Sequence, residues 1–104
     1  MDQKQFNEII VKQLVTCETV LCKKAIEYAT EDRLHNFKVA AAVQGNTPRQ
    51  ALMGMMAKHT ISIYDMGISD DDFSTDMWEE KITDHINYLL LLRAIVAERS
   101  PDEV

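Results

Sequence analysis

Residues 80–92 read EKITDHINYLLLL, the opening of a buried helix that runs into four consecutive leucines. Asp84, His85 and Asn87 sit where the apolar run begins. A carboxylate taken out of water is costly unless a cation, a metal or a ligand pairs with it. On a helical wheel Glu80, Asp84, Asn87 and Tyr88 share one stripe, at steps of four, three and one, with Lys81 three residues before Asp84. The helix with the most apolar run therefore carries a polar stripe that needs a partner.

Signals on either side of this segment delimit the helix and predict three more. Ser74 or Thr75 caps it, Asp76, Glu79 and Glu80 complement its positive end, and it runs to about Arg99, where Pro101 stops it. Before it lies one acidic loop, GISDDDFST, residues 67–75. Upstream, NTPRQ (46–50) offers Thr47 as N-cap, Pro48 at the first helical position and Gln50 to complete a capping box. The helix it starts, about 48–66, is expected to bury Leu52, Met55, Met56, His59 and Ile63, with Met53 as further core filler. Gly54 inside it costs about 1 kcal/mol relative to Ala, which predicts a close neighbour that offsets the loss.

The first third of the chain has the same periodicity. Phe6, Ile10, Leu14, Cys17, Leu21, Ala25 and Tyr28 recur at steps of three and four, predicting one long amphipathic helix over 3–29. ATEDRL (29–34) interrupts it, with Thr30 or Asp32 available as a cap. A shorter helix then carries Leu34, Phe37, Ala40, Ala41 and Val43 to a stop at Gly45. The fold expected is all-α: a four-helix bundle-like single domain over 1–104, with a core thin enough to favour a homo-oligomer.

Bulk composition excludes some functions. The formal charge of −6 counts against a general nucleic-acid binder, and 46–67 has too few basic residues for a helix-turn-helix. There is no apolar stretch long enough to span a membrane and no signal peptide at the start, so a cytoplasmic protein is expected. Cys17 and Cys22, five apart, fit neither a zinc pair nor a redox motif and read as buried free thiols. No glycine-rich phosphate loop and no G-x-S-x-G occurs.

Three predicted helices carry polar stripes: Glu80 to Tyr88, then Lys58, Ser62 and Asp65, then Lys23, Lys24 and Glu27. One reading makes them solvated faces with i, i+4 ion pairs such as Lys23 with Glu27. The other makes them walls of a polar pocket between helices.

Residues 23–37 (KKAIEYATEDRLHNF), 54–66 (GMMAKHTISIYDM) and 78–92 (WEEKITDHINYLLLL) resemble a group of short phage and prophage proteins. Those in turn resemble the all-α nucleoside triphosphate pyrophosphatases of the MazG type. The resemblance covers 20–98 and implies a helical dimer or tetramer with a nucleotide between helices. In such enzymes two acidic clusters, E-E-x-x-E and E-x-x-D, hold magnesium against the phosphates. Here KKAIE retains only Glu27 of the first cluster. At the second, Lys81 stands three residues before Asp84, leaving Glu80 displaced by one.

The resemblance with an eroded metal site implies a phage-type nucleotide-binding protein that holds a nucleotide, or a nucleotide-derived defence signal, without turnover. That is a sponge-like, anti-defence role needing no cofactor. Lys23, Lys24, Arg33, His35, Lys58 and Lys81 would neutralise phosphate. Tyr28, Phe37 or Tyr88 would stack on the base, Asn36 and Asn87 would read its edge, and Asp84 would pair with Lys81 or Lys58. The alternative is a Mg2+-dependent (d)NTP pyrophosphatase with Glu27, Asp84 and Glu80, or Asp65 in place of Glu80, on the metal and Lys58 steadying the phosphates. The second alternative is a structural or protein-interaction bundle without a nucleotide.

Overall fold

The computed structural model describes residues 1–23 and 32–99, and every regular element among them is helical. Helix α1 spans Gln3–Glu18 and continues into a π-helical turn, Thr19–Lys23; α2 spans His35–Gln44, α3 Pro48–Ile68 and α4 Thr75–Arg99. No helix among the described residues is long and apolar enough to cross a membrane.

Local signals place most helix ends. Thr47 and Gln50 exchange side-chain and backbone bonds (3.2 and 3.0 Å), so the capping box forms with Pro48 just inside the helix. Asp2 and Gln5 build a second box at the start of α1 (2.8 and 2.9 Å). Gly45 takes the left-handed conformation (φ 71°) that ends α2 and lets the chain turn directly into α3. Ser74 rather than Thr75 caps α4, its hydroxyl accepting from the Met77 amide at 3.1 Å. Asp32 precedes α2 and accepts from the Leu34 amide at 2.9 Å, while position 30, the other expected cap, lies outside the described residues.

Three pairings hold the helices: α2 on α3, and the antiparallel pairs α3 on α4 and α1 on α4. The core lies where α2, α3 and α4 meet. Leu52, fully enclosed, is surrounded by Leu34, Phe37, Met56 and Ile95, with Met55, Tyr88, Leu91 and Leu92 packed against them. His59 lies in this seam as a packed histidine, its ring 4.8 Å from that of Tyr88.

Several core expectations do not hold. Phe6, Ile10 and Leu14 are exposed, and Cys17 is the one buried residue of α1, because α1 packs along α4 on one side only. The uninterrupted first helix is instead broken to π geometry at Thr19–Lys23; positions 25 and 28 of its predicted stripe lie outside the described residues. Val43 is 82% exposed at the end of α2, and Met53 and Cys22 also face outward. The neighbour expected at Gly54 is not there, since a Cβ at that position would meet nothing within 4 Å.

Candidate functional site

Antiparallel packing of α1 on α4 is fixed by two polar contacts. The Gln13 side-chain amide donates to the Thr83 hydroxyl at 2.8 Å, and the Thr16 hydroxyl reaches Glu79 at 3.5 Å. Around these contacts, toward the π-helical turn, lies a cleft of about 270 Å³. Its walls are Thr16 and Val20 from the α1 side and Asp76, Glu79, Glu80, Thr83 and Asp84 from α4. π-turns inside helices recur at functional sites, because the extra residue redirects the side chains that follow.

Glu80, Asp84, Asn87 and Leu91 follow one another at steps of four, three and four. Their strip lies between the side of α4 that meets α1 (Glu79, Thr83) and the side that meets α3 (His85, Tyr88). Asn87 is 6% exposed, and its Oδ1 has no hydrogen-bond partner among the described residues. A buried acceptor without a donor costs about 1–3 kcal/mol. Such an atom marks a place where a donor belongs. Thr83, the other buried polar residue on this helix, is satisfied by Gln13.

The remaining expected residues scatter. Lys81 is half-buried on α4, while Lys58 on α3 and Lys23 on the π-turn are exposed. Arg33, His35 and Asn36 are exposed around the start of α2. Phe37 belongs to the core, where its ring is already covered by apolar neighbours, so it is not placed to stack on a base. Tyr88 is half-buried with His59 on one of its sides. Asp65 is exposed near the far end of α3. Lys24, Glu27 and Tyr28 lie outside the described residues.

A larger recess of about 380 Å³ opens elsewhere, between the starts of α2 and α3 and the last turns of α4. Leu34, Pro48, Ile95 and Val96 form its apolar wall, with Lys38, Thr47, Arg49 and Glu98 as polar members. Lys38 is committed within the protein, bridging Asp32 at 2.7 Å and Glu98. Hydrogen bonding to Lys38, then to the Leu34 amide, holds the Asp32 carboxyl below its ordinary value; bonds to Asp32 and Glu98 raise the Lys38 ammonium. Sequence reasoning missed this cluster, because 60 residues separate Lys38 from Glu98 and no local pattern joins them.

Magnesium would need several oxygen ligands converging near octahedral geometry. Among the described residues no group of three or more Asp, Glu, His or Cys side chains is arranged to hold a metal ion. The cleft carboxylates line a wall rather than close on a point. The described residues alone therefore do not fit the ion. No family model, curated protein or solved structure matches this chain.

Proposed function

We propose that this chain is a nucleotide-binding protein of the small phage kind. It holds a nucleotide or nucleotide-derived signal without turning it over, in the sponge-like manner of an anti-defence protein. The observation that carries this reading is the buried Oδ1 of Asn87, without a donor among the described residues and aligned with Glu80 and Asp84 of the α1–α4 cleft. A base supplies what that atom lacks, an exocyclic amine or ring N–H. Carboxylates only accept hydrogen bonds, so Glu80 and Asp84 suit ribose hydroxyls. The MazG-type resemblance supports the same ligand class.

The test is a thermal-shift screen with mono-, di-, tri- and cyclic nucleotides. A ligand at a hundred times its dissociation constant stabilises by about 2.7 kcal/mol, a rise of about 10 °C or more for a domain of this size. Intact nucleotide should be recovered from the heat-denatured complex. Asn87→Leu should abolish the shift while leaving the free protein at least as stable, because it deletes an unsatisfied buried acceptor. A response that survives Asn87→Leu, or no response to any nucleotide, sinks the proposal, and the latter outcome favours a purely structural bundle.

A second reading, the magnesium-dependent (d)NTP pyrophosphatase, is favoured by the four carboxylates lining the cleft. Incubation with each (d)NTP and magnesium decides it: sustained pyrophosphate release, lost on Asp84→Asn, would replace binding with catalysis.

A further inference from the structure

Helix α1 has three sides. Gln13, Thr16, Cys17 and Val20 turn toward α4, two of them bonded to it and two lining the cleft or buried. Gln5, Glu8 and Lys12, at steps of three and four, make a polar side. Between these lies a third side, open to solvent, whose apolar members are Ile10, Val11, Leu14 and Val15, with Val11 60% and Leu14 57% exposed; Gln3 and Asn7, bonded to each other at 2.8 Å, share its first turns. A helix that is apolar over this much of its circumference is normally covered on more than one flank. The radius of gyration, 16.0 Å, exceeds the ~13 Å of a compact chain near 100 residues, as expected when one helix is attached along a single edge.

The charges on this open side identify what covers it. Lys4, Val11 and Glu18 are spaced by seven and so lie nearly in line, with a cation at one end, an aliphatic side chain at the middle and an anion at the other. Lys4 and Glu18 are exposed and take part in no ion pair among the described residues. Such a row is its own complement when reversed. A parallel copy would set lysine on lysine and glutamate on glutamate; an antiparallel copy sets each charge on its opposite.

We infer that a second copy of this chain docks on α1, antiparallel, about a two-fold axis passing near Val11. Lys4 then pairs with the partner's Glu18, Glu18 pairs with the partner's Lys4, and Val11 meets its counterpart. Leu14 and Val15 fill the seam on either side of Val11. Such an interface uses the same patch on both subunits, as two-fold symmetry requires. The surface lies on a different side of α1 from Thr16 and Val20, so it stands whatever the α1–α4 cleft binds.

Sedimentation equilibrium on the full chain at micromolar concentration tests it, with a mass of twice 11.9 kDa expected. Lys4→Glu and Glu18→Lys each create two like-charge contacts per dimer and should raise the dissociation constant about tenfold. Mixing the two variants in equal amounts should restore assembly, because every pair across the mixed interface is again of opposite sign. Val11→Asp should give a monomer with an unchanged helical circular-dichroism spectrum, since the position is exposed within one chain. A monomeric native protein overturns the inference and leaves the face to some other partner. So does a dimer indifferent to Val11→Asp, or two charge variants that stay apart on mixing.

Discussion

Lys38 illustrates how much a single exposed residue can organise. It joins Asp32, ahead of α2, to Glu98, on the last turns of α4, and so ties the start of one helix to the end of another. Because the Asp32 carboxyl is lowered from its ordinary 3.8, its contribution to stability is complete above that value and disappears as pH falls through the lowered one. The Lys38 ammonium is raised from 10.5, so its contribution is complete below that value and is lost as pH rises through the raised one. The pair is therefore intact across the neutral range. In a carboxyl NMR titration Asp32 should change below 3.8 and move upward on Lys38→Met; titration at or above 3.8 in the native protein would contradict the contact. Both groups are exposed, so the stability at stake is small. Asn87 is the opposite case: its enclosed Oδ1 has no donor among the described residues, and under the proposed function that atom recognises rather than stabilises.

Among the elements, α3 follows local rules closely at its start and departs from them in its interior. The Thr47–Pro48–Gln50 start was fully legible, since capping depends only on residues within one turn. Gly54 was misread: it lies on the exposed side of α3, and no neighbour approaches the space a Cβ would fill. Gly54→Ala should therefore stabilise the protein by about 1 kcal/mol, raising the melting temperature by about 4–8 °C. A drop on calorimetry would show that the glycine has a partner after all. The π-turn after α1 could not be read from sequence, because VLCKK continues the apolar spacing of a regular helix. Val20, inside this turn, is one of the residues lining the cleft between α1 and α4.

Across the whole molecule stability is unevenly placed. The α2–α3–α4 core holds the fully enclosed Leu52, whereas α1 adds a single buried side chain. Leu52→Ala should lower stability by about 2–5 kcal/mol, a large fraction of the ~5–15 kcal/mol typical of a domain. Denaturant titration followed by far-ultraviolet circular dichroism measures it. A change under 1 kcal/mol would mean that the core is not where the packing places it. The site was partly legible at this scale. Glu80, Asp84 and Asn87 share a strip as the spacing predicted, because a helix fixes which of its own residues are neighbours. The cations expected around them did not gather there; Lys58 belongs to α3 and Arg33 to the turn before α2, and no rule of spacing says which way a neighbouring element is turned.

What the sequence determined alone is what depends on a few adjacent residues. Helical class, the cap at Thr47, the left-handed stop at Gly45 and the common strip of Glu80 with Asn87 all follow from steric and hydrogen-bonding preferences within a turn or two. Tertiary structure alone decided which apolar positions are covered. Phe37 and Leu14 look equivalent in a periodic pattern, yet one is enclosed by three helices and the other faces water. Burial is a property of neighbours in space, and the periodicity of one helix records only that a covered side is wanted, not what covers it.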